Sequence, residues 1–102
     1  MAEIIWTEPA LDDLDAIAGY IALDKPGAAK RIVRKIFSRI ELIAVFPKSG
    51  GKPRDLIGTP YRQVVVSPVK VFYRIGGDRI YVIYVMRGEQ QFRFRDLTDR
   101  EK

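Results

Sequence analysis

Apolar residues recur at three- and four-residue intervals in two consecutive segments. This spacing predicts a helix near residues 8–23 and a longer one near residues 27–46. Thr7 is suited to cap the first helix, because its hydroxyl can accept a hydrogen bond from a backbone N–H of the first turn. Since the break between the two segments is only about four residues long, the helices are expected to pack as an antiparallel hairpin.

Runs of β-branched and aromatic residues predict four strands. The first covers residues 3–6, ahead of the helices, and a loop rich in proline, glycine and lysine follows them at 47–60. Three further strands are predicted after this loop, at 61–66, 69–75 and 80–86. Short turns, at Ser67-Pro68 and at Gly76-Gly77-Asp78, make these three strands an antiparallel meander.

The tail from residue 87 to residue 102 alternates bases with Phe92, Phe94 and Leu97, and it is expected to extend the last strand or to fray. With this tail included, the chain is long enough for one packed core. The sequence therefore predicts a single α+β domain, residues 1–102, with the element order β-α-α-β-β-β and a helix hairpin packed on an antiparallel sheet.

Two-residue turns would pair Val66 with Val69 and Ile75 with Ile80, which sorts the side chains of the meander onto two faces. The face predicted to lie under the helix hairpin is apolar: Val64, Val66, Val69, Val71, Tyr73, Ile75, Ile80, Val82, Tyr84 and Met86. The opposite face combines bases with aromatic rings: Tyr61, Gln63, Val65, Lys70, Phe72, Arg74, Tyr81, Ile83, Val85 and Arg87. Such a face suits a nucleic acid or an acidic, amphipathic protein segment, and solubility alone is the third explanation.

Charge is distributed unevenly along the chain. Residues 1–24 contain six acids and no base, whereas residues 25–102 contain all 18 bases and seven acids, a net charge of +11. This concentration suits a negatively charged partner, either a nucleic acid or an acidic protein segment. The bases of the second helix are predicted on its solvated side, with contact to a partner as the alternative: Lys30, Arg31, Arg34, Lys35 and Arg39.

The chain contains neither cysteine nor histidine. Their absence excludes disulfides, cysteine- or histidine-based metal sites, and Ser–His or Cys–His catalytic pairs. Acid–base catalysis would have to use carboxylates, lysine or tyrosine, with arginine stabilising charge. No metal or cofactor is expected. Because no apolar run is long enough to cross a membrane and the N-terminus does not look like a secretory signal, a cytoplasmic location is expected.

An ordered set of short motifs extends over nearly the whole chain: Trp6-Thr7-Glu8-Pro9-Ala10, Asp13-Leu14-Asp15-Ala16-Ile17, Phe46-Pro47-Lys48-Ser49-Gly50, Tyr61-Arg62, Val71-Phe72-Tyr73-Arg74 and Val82-Ile83-Tyr84-Val85. In this order the chain resembles the RelE/ParE superfamily of toxins from bacterial type II toxin–antitoxin systems, and the ParE-like members most. The resemblance implies the fold predicted above. It also implies a cognate antitoxin that neutralises the toxin with an acidic and hydrophobic segment, extended or helical, in a hetero-oligomer.

The superfamily is divided by activity. RelE-like members cleave mRNA on the ribosome, and ParE-like members inhibit DNA gyrase and block replication. For a ribosome-dependent mRNA endonuclease, the candidate catalytic residues are Lys52, Arg54, Arg62, Arg74 and Arg87. Lys52 would then have to serve as the base, since arginine stays protonated. Related RNases usually place a tyrosine near the C-terminus, where this chain has Phe94, and phenylalanine cannot transfer a proton.

The resemblance therefore favours a gyrase inhibitor, which is not an enzyme. The residues predicted to contact the target or the antitoxin are Arg62, Lys70, Phe72, Arg74, Tyr81, Arg87, Phe92 and Phe94. A structural role is the alternative for Arg62 and Arg74, which could pair with Asp55 or Asp78 and order the loop. A third function is an inactive relative that only binds its antitoxin and takes part in operon regulation.

Overall fold

The computed structural model describes residues 1–101, and its elements follow the predicted order with one addition at the C-terminus. The elements are β1 (Glu3–Trp6), α1 (Glu8–Ala22), α2 (Pro26–Val45), β2 (Tyr61–Val66), β3 (Val69–Gly76), β4 (Arg79–Arg87) and α3 (Phe94–Arg100). Two 3-10 turns, Pro47–Ser49 and Arg54–Leu56, lie in the loop before β2. Among residues 1–101, none of the helices combines the length and the hydropathy that a membrane span requires. The predicted α+β class and element order are confirmed.

The four strands form one sheet in the order β1-β4-β3-β2. Both predicted turns are present, since Val66 pairs with Val69 and Ile75 pairs with Ile80. The strand β1 pairs with β4 in parallel, so the sheet is mixed and not wholly antiparallel. A tight turn would have forced β1 to run antiparallel to its neighbour. The helix hairpin connects β1 to the meander instead, and this longer connection allows a parallel pairing. The strands β1 and β2 are the two edges of the sheet.

The helix hairpin covers one face of this sheet. Thr7 caps α1 by accepting from the N–H of Ala10 at 3.4 Å, and its hydroxyl donates to the carbonyl of Val82 at 2.7 Å. The second bond ties the start of α1 to β4. In α2 the buried residues recur at three- and four-residue spacing: Ala29, Ile32, Ile36, Ile40, Ile43 and Ala44. Three of these residues, Ile32, Ile36 and Ile40, pack with apolar residues of α1, β3 and β4 to form the main core.

A bulge in β4 changes which face its last residues occupy. The pairing with β3 shifts after Phe72 and leaves Ile83 without a direct partner. As a result, Val85 packs in the core under the hairpin, while Met86 packs on the opposite side of the sheet. The predicted faces are wrong for the four residues that follow the bulge, because the prediction assumed a regular pleat: Tyr84, Val85, Met86 and Arg87.

The face opposite the hairpin was predicted to be an open basic and aromatic surface, and this prediction is wrong. It is the floor of a second small core, whose buried residues are Leu56, Tyr61, Phe72, Ile83, Met86 and Leu97. Phe72, a predicted contact residue, is fully buried, with its ring centroid 4.4 Å from that of Phe92.

The C-terminal tail closes this second core. It neither frays nor continues the strand beyond Arg87; instead residues 94–100 form α3, whose Leu97 is fully buried. A helix of seven residues spans only about two turns, too few for its apolar spacing to stand out from the alternation of bases and aromatic residues. Lys102, the last residue of the predicted domain, lies outside the described residues.

Candidate binding surfaces

Arg62 and Tyr73 fasten the loop that follows α2. The Arg62 guanidinium donates to two loop carbonyls, at 3.1 and 3.0 Å. The Tyr73 hydroxyl donates to a third loop carbonyl at 2.6 Å and accepts from the N–H of Gly50 at 3.0 Å. Burial raises the pKa of Tyr73, although the bond from Gly50 opposes this. The structural alternative is correct that Arg62 orders the loop. It is wrong about the partners, which are backbone carbonyls and not Asp55 or Asp78.

Lys52, the candidate base of the RNase interpretation, also holds this loop. Its ammonium group donates to the carbonyl of Thr59, and the Thr59 hydroxyl donates to the carbonyl of Leu56 at 2.8 Å. Lys52 therefore fastens this segment of the loop. Arg54 is exposed on the same loop, and no ion pair involves it among residues 1–101.

Arg74 is bound by Glu101, the residue that follows α3. The guanidinium donates to both carboxylate oxygens, at 2.8 to 3.0 Å, and the hydroxyl of Tyr61 donates to the same carboxylate at 2.6 Å. Burial, with the bond to Glu101, raises the pKa of Tyr61 to about 12. Burial alone would raise the pKa of Glu101, but the hydrogen bonds from Arg74 and Tyr61 outweigh it and lower that pKa. The predicted pairing of Arg74 with Asp55 or Asp78 is therefore wrong.

A second ion pair fixes α3 to α1. The Arg100 guanidinium bonds both oxygens of the Asp13 carboxylate, at 2.5 and 2.9 Å, and lies 3.5 Å from the ring centroid of Tyr84. Burial opposes the charge of Arg100, but Asp13 prevails and raises the pKa of the guanidinium. No pattern along the sequence indicates this ion pair. Asp13 shares α1 with solvated acids, and nothing along the chain connects it to a base 87 positions away.

The five residues of the RNase interpretation are not brought to one site. Arg74 lies on the face that carries α3. Arg87 lies on the opposite face, 5.0 Å from the ring centroid of Tyr20 in α1, and it pairs with Glu89 at 3.1 Å. Cleavage of a phosphodiester needs a base and an acid that converge on one phosphate. Arg74 and Arg87, on opposite faces of the sheet, therefore cannot both stabilise the charge on one phosphate.

Few of the predicted contact residues are freely accessible. Phe94 is 41% exposed, and its ring meets that of Tyr61 edge-on at 5.9 Å. The guanidinium carbon of Arg74 lies 4.4 Å from the ring centroid of Tyr81 and so covers this ring. The other partly exposed members of the predicted set are Arg62, Lys70, Arg74, Arg87 and Phe92, of which Arg62 and Arg74 are already engaged by the loop carbonyls and by Glu101. The part of this surface open to a partner is therefore small and centred on the C-terminal segment.

Another basic surface lies beside the β2 edge, where α2 passes over it. An open groove of about 470 Å³ separates α2 from Val65 and Val66, and its α2 wall consists of Arg34, Lys35, Ser38, Arg39 and Leu42. Val65 is 56% exposed and Leu42 is 46% exposed, so the groove has an apolar floor beside its bases. No ion pair found among residues 1–101 involves a base of α2. We call this surface the β2-edge groove.

A strand, a helix hairpin and a three-stranded meander, with bases on the outer faces, are the architecture expected of small toxins of the RelE/ParE type. The family model described as the ParE toxin of the type II toxin–antitoxin system parDE matches residues 4–92, and the chain belongs to this family. It is therefore a toxin of a type II toxin–antitoxin system, and a cognate antitoxin is its partner.

Individual relatives agree with this assignment. The chain is 37% identical to the provisionally named toxin Y4kP of Sinorhizobium fredii, over 87% of this chain and 91% of that protein. It is 31% identical to the toxin RelE2 of Caulobacter vibrioides, over 83% of this chain and 93% of that protein. The solved structure described as the chromosomal ParDE system from P. aeruginosa matches with a TM-score of 0.73 and 25% identity, over 87% of this chain and 98% of that one.

Proposed function

We propose that this toxin inhibits DNA gyrase and catalyses no reaction itself. The observation that carries the proposal is the dispersal of the RNase candidates. Lys52 and Arg62 donate to loop carbonyls, Arg74 is held in an ion pair, and Arg87 lies on the opposite face of the sheet. At the position where related RNases have a tyrosine, Phe94 has no hydroxyl. A toxin without convergent proton donors and acceptors is expected to act by binding.

The C-terminal segment offers the contact surface for this binding. Three consecutive residues of this segment are exposed: Arg93, Phe94 and Arg95. An aromatic side chain is therefore flanked in the sequence by two cations. Aromatic and arginine side chains carry much of the energy in protein–protein contacts. The ion pairs made by Arg100 and Glu101 hold α3 against the sheet, so this surface is presented in a fixed orientation.

Supercoiling of relaxed plasmid by purified DNA gyrase tests the proposal. The toxin should inhibit supercoiling or trap cleaved DNA, and an excess of its antitoxin should reverse the effect. Phe94→Ala should raise the half-inhibitory concentration by about tenfold or more, because it removes the exposed ring. Phe37→Ala is the matched control. Phe37 is 39% exposed and also meets a ring, that of Trp6 at 5.0 Å, but it lies on α2.

Undisturbed supercoiling by a toxin that still arrests growth would contradict the proposal and favour ribosome-dependent mRNA cleavage. In that case Lys52→Ala or Arg62→Ala should abolish cleavage while antitoxin binding survives. A chain that causes no growth arrest would instead be confined to antitoxin binding and operon regulation. Truncation from Phe92 onward is a poor test, because it removes Leu97 and uncovers the second core, including Phe72.

A further inference from the structure

The exposed side of α2 is cationic over most of its length. Residues 25–40 contain six of the 18 bases and no acid. Five neighbouring polar residues are exposed on the side of α2 that does not face the sheet: Lys30, Arg31, Arg34, Lys35 and Ser38. We call these five residues the α2 outer row. It extends beyond the β2-edge groove, since neither Lys30 nor Arg31 lines that groove.

The folded chain does not neutralise the α2 outer row. Arg31 and Lys35 lie four residues apart, so like charges occupy neighbouring turns of the helix and repel each other. None of the ion pairs found among residues 1–101 includes a base of α2, and two of them use acids of the N-terminal segment on arginines of β4 and α3. Because the row is unfavourable for the isolated helix, an external anion is the expected source of compensation.

The residue types of the row fit phosphates better than they fit a protein. The core of a protein–protein interface is depleted of charged residues, whereas protein–DNA interfaces are polar and strongly positive. The row contains no apolar or aromatic side chain, and Ser38 adds a hydroxyl of the kind that commonly bonds phosphate oxygens. A single-stranded nucleic acid would also need rings on which its bases could stack. The row therefore suits the backbone of a duplex.

The length and position of the row also suit a duplex. From Lys30 to Ser38 the helix rises about 12 Å, at about 1.5 Å per residue. Phosphates of one B-DNA strand follow one another at about 3.4 Å along the duplex axis, so about three of them lie within reach of the row. The helix hairpin and α3 cover opposite faces of the sheet, so the row and the C-terminal segment can each contact a partner at the same time.

We propose that the α2 outer row binds the phosphate backbone of duplex DNA without reading its sequence. The four cations of the row contact phosphates, and Ser38 donates to a phosphate oxygen. A toxin bound in this way is concentrated on the molecule that gyrase acts on, while its C-terminal segment stays free to contact the enzyme. The inference goes beyond the proposed function, because direct binding of DNA tests it whether or not gyrase is the target.

Fluorescence anisotropy of a short labelled DNA duplex, titrated with the full-length toxin at several salt concentrations, measures the affinity and its salt dependence. The double variant Lys30→Gln/Arg31→Gln removes two cations of the row and leaves the lining of the β2-edge groove intact. It should weaken binding by about tenfold and reduce the slope of log K against log [salt] by about 1.8, since each phosphate contact contributes about 0.9. Glutamine has a helix propensity close to that of lysine and arginine, so the unfolding midpoint should not fall.

A charge-matched control removes two cations from another surface. Lys48→Gln/Arg54→Gln also takes away one lysine and one arginine, both exposed on the loop before β2 and outside the ion pairs found among residues 1–101. The two double variants have the same net charge, so a difference between them reports the position of the cations and not their number. The control should change the affinity by no more than about twofold, because charges distant from the bound duplex are screened.

A third variant tests the row by a gain of binding, which damage to the fold would not produce. Glu41 is the acid of α2, and it is exposed beyond the C-terminal end of the row. Glu41→Gln should tighten DNA binding by about two- to threefold, because it removes a charge that repels phosphates. Asp55→Asn, at an exposed acid of the loop before β2, is its control and should leave the affinity unchanged.

The outcomes separate this inference from the proposed function. Absence of DNA binding at low salt, or equal losses in the two double variants, would overturn the inference, while inhibition of supercoiling would keep gyrase as the target. Salt-sensitive DNA binding that depends on the row, by a toxin without effect on supercoiling, would support the inference and contradict the proposed function. Tighter binding of duplex RNA than of duplex DNA, lost in Lys30→Gln/Arg31→Gln, would assign the row to RNA and overturn the inference. A strong preference for one DNA sequence would also contradict it.

Discussion

Replacing Arg100 with alanine should loosen α3 from the body of the protein. In the folded chain the Arg100 guanidinium bonds both oxygens of Asp13, at 2.5 and 2.9 Å, and the carbonyl of Ile83 at 3.0 Å. It also lies over the ring of Tyr84. The two side chains of the ion pair are only 22% and 18% exposed, so these interactions are made largely out of contact with water.

The size of the effect follows from what the substitution leaves unpaired. Asp13 would keep one hydrogen bond, from the N–H of Val85 at 3.0 Å, and the Ile83 carbonyl would lose the guanidinium donor. Hydrogen bonds to charged groups contribute about 1.5–3 kcal/mol, and partial exposure of the pair reduces this. We therefore expect Arg100→Ala to lower the free energy of unfolding by about 2 kcal/mol, with about 1 kcal/mol of this as coupling to Asp13.

Urea unfolding measures the loss of unfolding free energy and the coupling energy. The four proteins compared are the unaltered toxin, Arg100→Ala, Asp13→Ala and the double variant. The midpoint of Arg100→Ala should fall by about 1 M, given the urea dependence usual for small domains. The exposed pair of Arg79 and Glu3, at 3.2 Å with side chains 52% and 59% exposed, is the control and should show no measurable coupling. If the two pairs gave the same coupling energy, the reasoning would be refuted, and the Arg100–Asp13 pair would contribute no more than an exposed ion pair.

Three further predictions concern the same packing. The folded-state pKa of Glu101 is lowered, so its hydrogen bonds stabilise the fold at pH values above 4.5, the ordinary pKa of a glutamate. This stabilisation is lost as the pH falls through the folded-state pKa. Glu101→Gln should therefore make the unfolding midpoint less sensitive to acid. The pKa of Tyr61 is raised from 10.0 to about 12, so its contribution is complete below pH 10 and is lost on further alkalinisation; Tyr61→Phe should remove one late step from the ultraviolet titration of the tyrosines. Gly50→Ala should destabilise the toxin by about 1–3 kcal/mol, since the new Cβ would lie 2.3 Å from the Tyr73 hydroxyl oxygen, and Tyr73→Phe in the same chain should recover part of this in thermal unfolding.

The elements that the sequence predicts well are those whose signals are local. The apolar spacing of α1 and α2 places both helices within about two residues of their observed ends, because burial against one sheet imposes a single period on each helix. The turn after β3 is equally clear, and Gly77 takes the positive φ of 61° that this turn requires. Each of these features depends on residues that are close together in the sequence.

The errors arise where the structure depends on distant residues. The bulge at Ile83 arises from the pairing between two strands, and no particular residue type in the sequence marks it. The function of Asp13 depends on Arg100, and that of Arg74 depends on Glu101, so neither residue could be placed from its neighbours in sequence. Without α3, the basic and aromatic face of the sheet would be the open surface that the alternation of residues predicts.

The position of α3 also determines which bases are available to a partner. The ion pairs found among residues 1–101 all use arginines of β3, β4 and α3, and two of them use acids of the N-terminal 24 residues, Glu3 and Asp13. The acidic N-terminal segment therefore compensates charge on the sheet and on α3. The bases of α2 receive no such compensation within the described chain, although α2 packs directly beside α1. The net positive charge is thus concentrated on α2, beside the edge strand β2, because the acids of the N-terminal segment are used on the sheet and on α3.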